Sequence, residues 1–385
     1  MKLLVISHAC VLPINQNFFA MVQELSGWSV SLVVPALWRN EYTSDIPPQR
    51  SEPFKGTLRE VPAWRRGSVP AHVYKTFFAG ILREEKPDVI YVHHEPYGFA
   101  TFQVYLANAL GRNVPIGFYA AQNISKQYPA PIAQLERAVL ARSSFCFPVT
   151  EGALDVLRAK GYRSLAEVLP LAVDSHIYHQ KQEAASQIRE RLGVPADEFV
   201  IGYIGRLVRE KGLLTLLHAL AEMRDRAWRC VLVGSGDLEP ELRAEIQRLE
   251  LGERVTLTGY VPHAEAPEWL SFFDVLVLPS ETQGNWKEQF GRVLVEANAC
   301  RTAVIGTECG EIPTVIGKTC GGLVVPEKNA GQLALSLLEL LENPVTRLQL
   351  AEQGRQSVLR DYEQSHLASK FVTVIQQSVQ RKIIS

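Results

Sequence analysis

The chain of 385 residues carries 40 basic and 41 acidic side chains, a formal charge of -1, with 46% hydrophobic and 21% charged residues. That length exceeds what one hydrophobic core sustains, so two domains are expected. The balanced charge argues against a nucleic-acid partner, and no uncharged run approaches the length of a membrane span.

The first residues, Met1 to Ser7, are too few for a signal-peptide core and read as an opening strand in a cytoplasmic protein. Short apolar, β-branched runs then alternate with helical patterns, the sign of parallel sheets covered by helices on both faces. Strands are expected at residues 2–6, 30–34, 89–92, 116–119, 145–148 and 166–169. A polar helical stretch over 179–192 follows. The alternation restarts at 199–204, 230–233, 255–257, 275–278, 303–305 and 322–325, and surface helices are expected at 332–341, 345–359 and 364–380. The restart predicts an α/β chain of two Rossmann-like doubly wound domains, 1–180 and 181–363, facing a central cleft. The six cysteines show no CxxC spacing and read as reduced core residues.

In doubly wound folds ligands bind where strands end, so the loops after strands are the places to look for chemistry. After residues 199–204 comes Gly205-Arg206-Leu207-Val208-Arg209-Glu210-Lys211-Gly212. Its glycines admit a close ligand, and Arg206 and Lys211 put two cations beside a helix start, which suits a pyrophosphate; a solvated turn is the bland alternative. Gly234-Ser235-Gly236-Asp237 follows the next strand and is weak evidence alone. The strongest stretch, 279–297, holds Glu288 before an expected helix and Glu296 on it. Glu296 sits between Val293, Leu294, Val295 and Ala297, a costly setting for an idle carboxylate. Glu308-Cys309-Gly310-Glu311-Ile312-Pro313 then offers a further wall for the same pocket. No Asp-x-Asp pair occurs and the histidines and cysteines lack metal-ligand spacing, so no metal and no cofactor are expected at this site.

Taken together, Gly205-Arg206 to Glu210-Lys211-Gly212, Glu288 with Glu296 in an E-x7-E motif, Gly310-Glu311-Ile312-Pro313 and Gly322 to Pro326 resemble the retaining glycosyltransferases of family 4, with the GT-B fold. The resemblance implies a hexosyltransferase that uses a nucleotide-diphosphate sugar. Arg206 and Lys211 would hold the diphosphate, Glu288 the transferred sugar and Glu296 the ribose. Gly205, Gly234, Val261 and the backbone of Gly291, Arg292 and Val293 would complete the donor pocket. It also implies that residues 1–180 face the acceptor, a sugar-containing or small molecule, and that the last helix, 364–385, packs back on them. The sequence departs from the family where Pro13 to Asn17 replace a glycine pair and where Gln122, in Phe118 to Asn123, replaces a histidine.

On the acceptor side, His93, His94 and Glu95 end a strand, and His94, Glu95, Gln122 and Asn123 are the candidate acceptor residues; His8 ends the first strand. Each histidine reads equally as a structural hydrogen-bonder. Trp64, Arg65 and Arg66 with 73–82 read either as a peripheral membrane contact or as a core-facing helix with charged ends. Two other functions fit the residues: a GT-B enzyme that hydrolyses or epimerises a nucleotide sugar, and a degenerate nucleotide-binding domain without turnover.

Overall fold

A computed structural model describes residues 1–39 and 45–384. The chain forms two compact units, Met1–Ala172 with Gln364–Ser385, and Val173–Glu363. The division falls at Ala172/Val173, eight residues before the expected 180/181.

The first unit is built on Lys2–Ile6, Ser29–Pro35, Thr57–Val61, Val89–Val92, Ile116–Ala120, Phe145–Pro148 and Leu165–Ala166, all pairing in parallel. Across the sheet the order is seventh, sixth, fifth, fourth, first, second, third. The strand order therefore reverses between Lys2–Ile6 and Val89–Val92, and the loops leaving these two strands flank the switch point. Alternation along each strand divides the core. Leu3, Val5, Leu32, Tyr91 and Phe147 lie on one face, and Leu4, Ile6, Val33, Ile90 and Phe118 on the other. The helix Gln364–Ile384 packs on Pro13–Ser26 and seats Phe371 in the first of these clusters, stacked on Phe147 with centroids 4.7 Å apart. Ser385, the end of the expected 364–385 helix, lies outside the described residues.

Three expectations need correction in this unit. Thr57–Val61 is a strand the sequence reading omits, an edge strand whose Thr57, Arg59 and Glu60 side chains meet solvent, so it lacks an apolar run. The last strand is Leu165–Ala166 and not 166–169. The 73–82 stretch is not one helix: Ala63–Trp64 pairs antiparallel with Val73–Tyr74, and a helix follows at Phe78–Glu85. Among the described residues no helix is long and apolar enough to cross a membrane.

The second unit holds Phe199–Ile204, Trp228–Val233, Val255–Gly259, Val275–Leu278, Ala303–Thr307 and Gly322–Val325, again parallel, ordered third, second, first, fourth, fifth, sixth. Its switch point lies between Phe199–Ile204 and Val275–Leu278. The switch-point strands Phe199–Ile204 and Val275–Leu278 read as continuous apolar runs because both faces are covered by helices. All six cysteines are free, and five are buried as expected. Cys320 is the exception, exposed at the left-handed C-cap of the helix Ile312–Thr319.

Candidate functional site

The donor-side candidates gather at the switch point of the second unit. The loop after Phe199–Ile204 makes a single 3-10 turn, Arg209–Lys211, before the helix Leu213–Ala221. Gly212 joins them at φ +64, and a Cβ there would stand 1.9 Å from the Pro279 carbonyl oxygen. Only glycine satisfies both the left-handed backbone and that approach. The Glu281 amide donates to the Glu210 carbonyl at 2.9 Å, and Thr215 Oγ1 to Glu281 Oε1 at 2.5 Å. The loops that follow the two switch-point strands are thereby fixed to each other.

This contact brings together residues 77 positions apart. Lys211 Nζ lies 2.5 Å from Glu288 Oε2, both side chains largely buried, and Ser280 Oγ donates to the same oxygen at 3.1 Å. The Lys211 ammonium also lies 5.3 Å from the centre of the Trp286 ring. Gly310 packs behind Glu288: its φ is +58, a Cβ would meet the Glu288 carbonyl oxygen at 2.0 Å, and the Glu311 amide donates to that oxygen at 3.0 Å. The turn at Gly310 thus supports the Glu288 backbone.

Glu288 precedes the helix Arg292–Ala299, whose N-cap is Gly291 in the left-handed conformation. No side chain caps this helix, so its first-turn amides and the positive end of its dipole suit an anion. Glu296 is buried one turn on. Arg292 Nε approaches Glu296 Oε1 at 2.9 Å, although the angle is not that of a hydrogen bond, and His263 Nε2 lies 3.8 Å from the same oxygen. Tyr178 Oη lies 3.0 Å from His263 Nδ1, and burial followed by the Glu296 charge pushes the Tyr178 phenol well up.

The Arg206 guanidinium lies 3.5 Å from Glu210. Gly205 lies under the neighbouring loop, with a Cβ on Gly234 falling 1.9 Å from the Gly205 carbonyl oxygen. Val261 is half-buried just beyond Val255–Gly259. Ser280, Trp286, Tyr178 and His263 are neighbours that sequence reasoning missed. Ser280 and Trp286 were legible as members of the 279–297 stretch. Tyr178 and His263 lie far apart in sequence and carry no local signal.

On the first unit the structure unites Glu95 with the Gln122 loop and directs His94 elsewhere. Glu95 Oε1 accepts the Ala121 amide at 2.8 Å. Burial pushes the carboxyl up to about 7, while hydrogen bonds from the Ala121 and Gln122 amides act in the opposite direction. Gln122 Oε1 accepts the Ile124 amide at 3.2 Å, so Gln122 caps its own loop, which also carries Asn123. His94 is buried, its ring stacked on His8 and edge-on to the buried His72, each 4.8 Å away between centroids. His93, 3.2 Å from Ser7 Oγ, is held neutral by burial, which lowers it to about 4.

Two Rossmann-like domains, with an anion-suited helix start beside a lysine and two carboxylates, define a GT-B glycosyltransferase. The profile described as Glycosyl transferases group 1 matches residues 185–357. D-inositol 3-phosphate glycosyltransferase 1 of Catenulispora acidiphila is 30% identical over 314 residues, covering 75% of this chain and 71% of its own. Alpha-D-kanosaminyltransferase of Streptomyces kanamyceticus is 27% identical over 316 residues, covering 78% and 79%. The chain belongs to the glycosyl transferases group 1 family. Among solved structures, the fold is shared with Anabaena HepE in complex with UDP at a TM-score of 0.77, 18% identity and coverage of 98% and 100%. Sucrose-phosphate synthase from Thermosynechococcus elongatus matches at a TM-score of 0.76, 19% identity and 98% of both chains.

Proposed function

We propose that this glycosyltransferase moves a hexosyl group from a nucleotide-diphosphate sugar to an acceptor hydroxyl with retention of configuration, as a family 4 enzyme, and needs no metal on the diphosphate. The observation that carries the reading is the Lys211–Glu288 pair set beside the uncapped start of Arg292–Ala299. An ammonium and helix amides stabilise negative charge as it develops on a departing diphosphate, the work a divalent cation performs elsewhere.

In this reading Lys211, Arg206 and the amides at Gly291, Arg292 and Val293 bind the diphosphate. Glu288 accepts from hydroxyls of the sugar. Glu296 accepts from the ribose, with the Arg292 guanidinium 2.9 Å away compensating its buried charge. Gly205, Gly234 and Val261 line the nucleotide. The departing diphosphate oxygen takes the proton of the acceptor hydroxyl on the face it leaves, so no side-chain nucleophile is required and positioning supplies much of the rate. The HepE complex was solved with UDP, which supports a nucleotide donor. The names of the inositol phosphate and kanosaminyl enzymes support a sugar-containing or small hydroxylated acceptor. A place in the cytoplasm, with peripheral membrane contact through the Trp64 and Arg65 region, belongs to the same proposal. Incubation with a panel of nucleotide sugars, with and without acceptors, tests it: a glycosylated acceptor is expected, and free sugar or an isomerised donor as sole product would select the hydrolase or epimerase reading.

A further inference from the structure

Three histidines from distant parts of the chain meet at the switch point of the first unit. His8 leaves the strand Lys2–Ile6, His94 leaves Val89–Val92, and His72 arrives just before the short strand Val73–Tyr74. One nitrogen from each lies within 4.8 Å of the other two. His72 and His94 are fully buried, and His8 is the partly exposed member. The rings are walled by aromatics: Trp38 sits 4.7 Å from His8 and 5.0 Å from His72, and Tyr74 5.6 Å from His72, between centroids.

The hydrogen-bond pattern leaves nitrogens without partners. His72 Nδ1 faces two carbonyl oxygens, Val69 at 2.9 Å and Ser68 at 3.2 Å, which only accept. Nδ1 therefore carries the proton, and in the neutral ring Nε2 holds a lone pair. Among the described residues that buried Nε2 has no hydrogen-bond partner, and neither has His94 Nε2. His8 and His94 face each other through Nδ1 atoms 2.8 Å apart, so only one of these two can be protonated. Nitrogen anchored to a backbone carbonyl on one side and bare on the other is the arrangement of a metal-binding imidazole. Leaving such nitrogens unpaired in a dry site costs about 1–3 kcal/mol each.

We propose that His8, His72 and His94 form a zinc-class transition-metal site in the first unit. One ion takes the bare Nε2 of His72 and the Nδ1 atoms of His8 and His94, and the proton between those two Nδ1 atoms moves to the Nε2 of the ring that carried it. The all-nitrogen donor set suits zinc and its neighbours and is unfit for magnesium or calcium, which prefer oxygen. Three nitrogens around zinc at about 2.0–2.1 Å stand roughly 3.3 Å apart, so the rings close in by rotation about their side-chain bonds. The partly exposed His8 marks the side of entry. The three histidines belong to the first unit, whereas the donor loops belong to the second. The ligand His94 directly precedes Glu95, which fixes the Ala121–Gln122 backbone, so an ion here stiffens the acceptor-side loop.

The test uses the full chain, stripped with a chelator, dialysed and titrated with Co2+ and then Zn2+. One ion per chain is expected by elemental analysis, with the visible bands of nitrogen-ligated tetrahedral Co2+ that Zn2+ abolishes, and a rise in thermal midpoint on loading. His72→Gln and His94→Gln should weaken binding about a hundredfold or more, whereas His176→Ala, at an exposed histidine, leaves it unchanged. Where a buried variant does not fold, His8→Ala decides, since that partly exposed side chain is removed at less cost to the core. Absence of Co2+ and Zn2+ binding by the stripped wild type, or an unchanged spectrum and stoichiometry in folded His8→Ala, overturns the proposal.

Discussion

Glu288→Gln and Lys211→Ala separate binding of the diphosphate from handling of the sugar. In the structure the two charges pair at 2.5 Å, with 15% and 11% of the side chains exposed. Glu288→Gln preserves size and still offers Lys211 an amide oxygen, but it removes the negative charge that competes with a diphosphate for that ammonium. Nucleotide diphosphate alone should therefore bind as well as to wild type, or more tightly, while transfer drops sharply as contacts to sugar hydroxyls weaken. Lys211→Ala deletes a charge-assisted contact worth about 1.5–3 kcal/mol, roughly ten- to a hundredfold in affinity. It also breaks the ion pair of the largely buried Glu288 carboxylate, and removing one partner of a buried pair costs on the order of 3–5 kcal/mol of stability. Calorimetry with nucleotide diphosphates, kinetics with the full donor and thermal unfolding measure the three quantities. Abolished diphosphate binding in Glu288→Gln, together with wild-type binding in Lys211→Ala, would refute the assignment of roles.

Gly212→Ala forces a Cβ onto a left-handed backbone and to 1.9 Å from the Pro279 oxygen, so the two loops must part. A loss of at least about 1–2 kcal/mol from the backbone alone, with reduced transfer, is expected in denaturant unfolding; wild-type stability would show that the loops are not locked there. Phe371→Ala empties a site stacked on Phe147 and edged by Phe18, Phe19 and Tyr91, and should cost about 3–5 kcal/mol, read as a lower denaturation midpoint. A cost below 1 kcal/mol, the scale of a surface change, would mean the last helix is not part of the first unit's core. Transfer rates should stay within about twofold when millimolar Mg2+ or Mn2+ is omitted, if lysine and helix amides meet the diphosphate as proposed. A strict requirement for either ion would contradict that.

The buried parallel strands Val275–Leu278 and Phe199–Ile204 were legible because they are apolar runs, and they match residue for residue. Thr57–Val61 was not, because this edge strand leaves Thr57 and Glu60 in water and lacks an apolar run. Lys211 and Glu288 were each visible in the motifs that resemble family 4, but their contact was not, since two loops separated by 77 residues meet only through the sheet order. Glu95 was legible as a strand-end carboxylate, and its bond to the Ala121 amide was not. His72 was missed outright. It sits in irregular chain between two-residue strands, and nothing local marks it as the neighbour of His8 and His94.

The central claim is transfer with retention from a nucleotide-diphosphate sugar. It is tested most directly by the anomeric configuration of the product, read by proton NMR after reaction with an α-linked donor found in the nucleotide-sugar screen. An α-linked glycoside on the acceptor is the predicted result. A β-linked glycoside would contradict retention, and free sugar without any glycosylated acceptor would contradict transfer itself.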